Sequence, residues 1–187
     1  MLDACVLYPA PVRDILLWLA DSGLYQPKWS KQIQEEWSLN VLHNRPDLQK
    51  QQLDRAVQNM NAAFPDAEVK RFSSMIPNLT LPDKDDRHVL AAAIKCKAGG
   101  IVTYNLKDFP DHILSKYNIT ALHPDAFILG LIDLDETKAV KAFKQHVNSL
   151  KNPPKTEKEL LVNLEKLNLT ISVHRLRGIL KSQGRSD

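Results

Sequence analysis

The segment that most constrains this chain is the one from Val89 to Asp108. Residues 89–97 have helical spacing and carry the run Ala91-Ala-Ala93, which lets a neighbouring element approach closely. Gly99-Gly100 stops that helix, and Ile101-Val-Thr103 follows at once as a short apolar strand. Polar groups, Asn105 and Asp108, gather where the strand ends. Helix, glycine stop, apolar strand and polar strand end together predict an α/β fold with a parallel sheet. In such sheets chemistry sits at the carboxyl ends of the strands.

The rest of the chain fits that frame. Residues 2–7 read as a short strand ending at the turn Tyr8-Pro-Ala-Pro11. Pro11 suits the start of a helix whose apolar positions are Val12, Ile15, Leu16 and Leu19, and Gly23 can end it. Ser30 is placed to cap a second helix bearing Ile33, Trp37 and Val41. Residues 47–62 form a polar amphipathic helix, and residues 82–86 start the Ala-rich one with carboxylates near the positive end of its dipole. The segment 119–134 is apolar. Pro153-Pro154 marks a boundary, after which Thr156 and Glu159 form a capping box before Leu160, Leu161, Leu164 and Leu167.

Composition narrows the class. A hydrophobic share of 43% can bury a core, and a charged share of 25% argues against global disorder. Cys5 and Cys96 stand far apart with no zinc-type spacing around them, so reduced thiols are expected. No run of about 18 apolar residues occurs; a cytoplasmic protein without membrane contact is the expectation. The net charge of +3 is uneven, because residues 138–187 hold 11 Lys/Arg against 4 Asp/Glu. That tail reads equally as a phosphate-binding surface or as a solvated helical face.

Four acids stand out by position. Asp3 lies inside the first apolar run, where a charge is costly unless it is paired or binds metal. Glu36 shares a helix row with Ile33 and Leu39, while Glu35 lies on a more polar row. Asp86 opens the Ala-rich helix, and Asp108 follows its strand.

The blocks Leu2-Asp-Ala-Cys-Val-Leu7, Ile33-Gln-Glu-Glu36, Asp86-Arg-His-Val-Leu-Ala-Ala-Ala93 and Val102-Thr-Tyr-Asn-Leu-Lys-Asp-Phe-Pro110 occur in the order and spacing of a PIN domain. The chain resembles VapC-type toxins with a C-terminal extension, and His123-Pro-Asp-Ala-Phe127 and Asn152-Pro-Pro154 are similar to that subgroup's tail. The resemblance covers roughly residues 1–180. It implies a PIN-like three-layer α/β/α fold with a central parallel sheet, a nuclease domain over residues 1–134 and a basic helical extension over 135–187. It implies that Asp3, Glu36, Asp86 and Asp108 form an acidic quartet, with Thr103 and Asn105 beside the fourth acid. The implied activity is endoribonuclease cleavage in a type II toxin–antitoxin pair, with RNA as substrate, an antitoxin protein as partner and a homodimer as a common state. One departure is visible: many members have Asp-Thr-Asn where this chain has Asp3-Ala4-Cys5, which removes a hydroxyl and an amide near the site.

The chemistry is coherent in its own right. Crowded carboxylates raise one another's pKa, and a hard divalent cation relieves them. Mg²⁺ and Mn²⁺ prefer oxygen ligands. Asp3 and Asp108 are the expected direct ligands; Asp86 would bind directly or through water, and Glu36 through water or as a proton acceptor. Lys138, Lys141 and Lys144 recur at helical spacing and, with Arg175 and Arg177, are the candidates for RNA or partner contact. His88 and His123 read as packing or hydrogen-bonding groups, and Trp18, Trp29 and Trp37 as core. A haloacid-dehalogenase-type phosphatase would need Asp rather than Cys at position 5, and a phosphorylated receiver lacks its acceptor Asp. A housekeeping RNA-processing nuclease and an inactive PIN-like binding module stay open as alternatives.

Overall fold

The computed structural model describes residues 1–183. In chain order the protein forms α1 (Ala4–Leu7), α2 (Ala10–Asp21), β1 (Trp29–Ser30), α3 (Lys31–Asn44), α4 (Lys50–Ala63), β2 (Glu68–Val69), α5 (Arg87–Lys95), β3 (Gly100–Val102), α6 (Asp111–Leu114), β4 (Thr120–Leu122), α7 (Pro124–Leu134), α8 (Glu136–Ser149), α9 (Glu157–Lys166) and α10 (Thr170–Gln183). These elements divide into two compact units. The first holds Met1–Tyr8 and Pro27–His123; the second holds Pro9–Gln26 and the chain from Pro124 onward.

The first unit is the mixed α/β arrangement expected. β1 pairs with β2 and β3 with β4, both parallel. Residues 1–3 stitch the two ladders together. The Leu2 N–H donates to Lys28 O at 2.8 Å, the Val102 N–H to Met1 O at 2.8 Å, and the Asp3 N–H to Val102 O at 3.1 Å. Residues 1–3 thus lie between the two ladders, bridged in parallel to β3 at Leu2–Val102 and bonded to Lys28 just before β1. Close pairing of β3 with β4 explains a glycine: a Cβ on Gly100 would come within 3.2 Å of Thr120 O.

The strand expected over residues 2–7 is a correction. Leu2 makes a single parallel bridge to Val102, and from Ala4 the chain turns into α1. The cause is Asp3. Its backbone is extended at the N-cap position, and its Oδ1 accepts the Ala4 N–H at 2.6 Å. A short apolar run buries equally well as strand or helix, so one capping carboxylate decides.

Local signals elsewhere act as expected. Ser30 caps α3, its Oγ accepting the Ile33 N–H at 3.2 Å. Ile33 and Trp37 are fully buried beneath that helix, and α3 and α5 both pack against β1. On α5 the residues Val89 to Ala93 are all out of solvent, which is the close approach the alanines allow. Trp29 is also fully buried, and its indole N–H donates to Asn61 Oδ1 at 2.9 Å, so its polar end is satisfied.

The second unit is helical. α2 packs against α8, and α7 against α8 and α10. Asp125, in the first turn of α7, is buried and caps a distant helix: it accepts the Ile171 N–H at 2.9 Å, the Ser172 N–H at 2.8 Å and the Ser172 hydroxyl at 2.6 Å. The expected capping box opens α9, with Thr156 Oγ1 accepting the Glu159 N–H and Glu159 accepting the Thr156 N–H. Among the described residues no helix is long and apolar enough to cross a membrane.

Candidate active site

Asp3 and Thr103 stand at the carboxyl ends of adjacent parallel segments, where the sheet rule places chemistry. Asp3 is only 4% exposed, yet it is well partnered. Beyond the Ala4 N–H on Oδ1, its Oδ2 accepts the Thr103 hydroxyl at 2.7 Å and the Cys5 thiol at 3.1 Å. A carboxylate offers about four lone-pair positions; one on Oδ1 stays open after these three contacts. Thr103 Oγ1 in turn accepts the Asn105 N–H at 3.0 Å, which ties the loop after β3 to the same oxygen cluster.

Asp86 occupies the N-cap position of α5 without making a side-chain capping bond. Its carboxyl is pushed up to about 7, first by desolvation and then by the charges of Asp3, Asp83 and Asp108. Glu36 comes from α3 and is half-exposed. Its Oε1 lies 2.9 Å from Nε2 of the buried His88 and accepts the Gln32 amide at 3.2 Å. His88 sits two residues beyond Asp86, so the first turn of α5 both carries one acid and holds another. Among the described residues the His88 Nδ1 has no hydrogen-bond partner, so the imidazole's one polar contact is with Glu36. Glu35, by contrast, faces solvent and pairs with Lys31.

Asp3, Glu36, Asp86 and Asn105 line one cavity of about 390 Å³, together with Ala4, Cys5, Tyr8, Asn40 and Asn44. Asp108 is not among the lining side chains. It lies in the turn 106–108, half-buried, close enough for its charge to help raise Asp86. Among the described residues no three His, Cys, Asp or Glu side chains converge tightly enough to hold a metal ion as they stand. Asp3, Glu36 and Asp86 therefore share a cavity at a looser spacing than coordination, and Asp108 stands outside its lining. Burial and the neighbouring Asp3 push the Cys5 thiol up to about 12, so the thiolate is scarce.

Sequence reasoning named the acids and passed over Tyr8, Asn40 and Asn44. The signal was present, since Glu36, Asn40 and Asn44 follow one another at i, i+4 and i+8 on α3. Cys5 is expected from the sequence only as a reduced thiol. Its thiol also bonds to Asp3 and takes the Tyr104 N–H at 3.2 Å.

The basic candidates lie in the second unit. Lys138, Lys141 and Lys144 are on the exposed side of α8, opposite Ala139, Val140, Ala142, Phe143 and His146. Lys138 lies 3.5 Å from Asp135. Arg175 pairs with Asp133 and Glu136, each at 3.1 Å, and Arg177 forks onto Glu165 at 2.7 and 2.9 Å. Much of the positive charge of the two arginines is thus compensated within the unit.

Comparison with known proteins bears on both units. The family model described as a PIN domain matches residues 1–107, and the one described as the VapC50 C-terminal domain matches residues 124–178. A Mycobacterium tuberculosis protein named "Putative ribonuclease VapC50" is 49% identical over 76 residues, which is 41% of this chain. The match takes in 45% of that relative, so the chain spans less than half the relative's length in matched sequence. No solved structure matches.

Proposed function

The chain belongs to the PIN-domain family, and from that premise we propose that it is a Mg²⁺- or Mn²⁺-dependent endoribonuclease, the VapC-type toxin of a type II toxin–antitoxin pair. The observation that carries this reading is the convergence of Asp3, Glu36 and Asp86 on one cavity, with Asp108 adding its charge to Asp86. The name of the M. tuberculosis relative supports the choice of RNA. The division into a nuclease domain, residues 1–134, and a basic extension, residues 135–187, belongs to the same proposal. So do RNA contact by Lys138, Lys141, Lys144, Arg175 and Arg177, an antitoxin partner, a homodimer and a cytoplasmic setting.

The residues fit a hard divalent ion. The available donors are carboxylate oxygens, and the like charges that raise Asp86 are what such a cation offsets. Asp3, Asp86 and Asp108 would hold it, with Glu36 alongside. When bound, the ion supplies Lewis-acid polarisation of a water and of the phosphate. The protein's own part is positional. Three hydrogen bonds fix the Asp3 carboxylate, and Asn105 is held beside it through Thr103. Glu36, anchored by His88 and half-open to the cavity, would accept a proton from the attacking water. No side-chain nucleophile is required.

Brief induction of the protein in a bacterial host, followed by mapping of RNA ends, tests the proposal. New ends at defined positions, with growth arrest that Asp86→Asn abolishes, are expected. Growth arrest of equal strength with Asp86→Asn would overturn it.

A further inference from the structure

The cavity has two chemically different halves. One is the acid cluster. The other is Tyr8, Asn40 and Asn44, and no Lys or Arg lines any part of the cavity. A surface meant for phosphate carries cations or a helix N-terminus; the lining of this half offers neither, and Arg45, whose charge reaches Tyr8, is already forked onto Asp47 at 2.6 and 2.8 Å. What it offers is two carboxamides and a phenol. Each carboxamide presents an acceptor oxygen and an NH₂ donor, the pattern that pairs with the edge of a nucleobase. Neither Asn40 nor Asn44 has a hydrogen-bond partner for its side chain among the described residues, and both are exposed.

The placement is directional. Glu36, Asn40 and Asn44 form one row on α3, which at the helical rise extends about 12 Å from the acid to the far amide. Tyr8 ends α1, the short helix that Asp3 caps, so one element supplies an acid and an aromatic to the same cavity. Single-stranded RNA is read in this way: splayed bases stack on aromatic side chains while amides bond to their edges.

We propose that Tyr8, Asn40 and Asn44 form a nucleobase subsite that seats the base next to the scissile phosphate and sets the preference for it. The proposal rests on the ribonuclease reading, and it names the part of the substrate that the neutral half of the cavity takes. An uncharged base beside the acids also avoids the repulsion that a second phosphate would meet there.

The test has two arms. In the first, the ¹⁵N-labelled full chain is titrated with adenosine, guanosine, cytidine and uridine, and the side-chain amide signals of Asn40 and Asn44 are followed. At least one nucleoside should shift both signals selectively, and Asn44→Leu should weaken that response at the Asn40 signal. In the second arm, cleavage positions in a randomised RNA are sequenced for the wild type and for Asn40→Ala/Asn44→Ala. Discrimination at one position beside the cut should fall by about fivefold or more in the double variant, at 1–3 kcal/mol for a good base-edge pair, with KM raised more than kcat is lowered. Nucleoside binding at the amides in a protein that cuts no RNA would leave the subsite standing and sink the nuclease reading. Amide signals unmoved by all four nucleosides, or an unchanged base preference in a double variant that still cuts, would overturn the subsite.

Discussion

Divalent-ion binding at this site should release a proton, and the amount follows from Asp86. In the ion-free protein its carboxyl titrates at about 7, raised by desolvation and by Asp3, Asp83 and Asp108. An ion held by that carboxylate requires the charged form. At pH 7 about half of the Asp86 groups carry a proton, so binding should release about 0.5 proton; at pH 6 the figure is about 0.9 and at pH 8 about 0.1. The apparent affinity should fall about tenfold from pH 8 to pH 6. A carboxyl with an ordinary pKa would release almost nothing anywhere in this range. The assay is calorimetry with Mn²⁺ in two buffers of different ionisation enthalpy at each pH, which yields the proton count directly. Asp86→Asn should remove both the release and the pH dependence. The stability of the ion-free fold should respond to pH in the opposite sense. A raised carboxyl pKa means that the folded, ion-free protein holds more protons than the unfolded chain. Its stability should therefore decline as pH rises from about 4 to 7, and Asp86→Asn should lessen that decline. Proton release below about 0.2 at pH 6 would show that desolvation and the neighbouring acids do not hold Asp86 above the ordinary carboxylate range.

The remaining predictions concern other elements. His146 is 1% exposed, neither ring nitrogen has a hydrogen-bond partner among the described residues, and burial followed by the charge of Lys155 pushes its pKa down to about 4. The folded state resists protonating it, so stability should be lost as pH falls from about 6.5 toward 4, by about 2 kcal/mol at pH 5; urea unfolding at pH 7 and 5 should show this loss for the wild type and a smaller one for His146→Leu. His88→Phe removes the anchor on Glu36 and should lower Mn²⁺ affinity or kcat by about tenfold, whereas His88→Gln, which can keep a donor near the same place, should recover most of it. An equal loss in both variants would show that the imidazole acts only through packing. Charge reversal at Lys138, Lys141 and Lys144 should weaken RNA binding and flatten its salt dependence. An unchanged salt slope would remove α8 from the RNA path.

What the sequence revealed, it revealed through local rules. The Ser30 cap, the Thr156–Glu159 box and the choice of Glu36 over Glu35 each depend on spacings within one or two turns. The fate of residues 2–7 did not, because the decision lay in a single hydrogen bond from the Ala4 N–H to Asp3. The capping of α10 by Asp125 joins groups 46 and 47 residues apart, which no periodicity exposes. Asn40 and Asn44 stand at helical spacing from Glu36, but uncharged amides on an exposed helix row differ little from ordinary solvated surface. The quartet is read from the sequence as a set of positions. That Asp108 stands back from the cavity while still acting on Asp86 by charge is a property of the turn 106–108 that the spacing leaves open.

The central claim is that these carboxylates work through a divalent ion to hydrolyse RNA. The most direct measurement is cleavage of a labelled RNA pool by the purified full chain, first stripped with EDTA and then resupplied with Mg²⁺, Mn²⁺ or Ca²⁺. Cleavage should be absent after stripping and restored by Mg²⁺ or Mn²⁺. It should be poorly restored by Ca²⁺, whose looser geometry positions water badly, and absent throughout in Asp3→Asn. Full cleavage in excess EDTA, or wild-type rates from Asp3→Asn, would contradict the account.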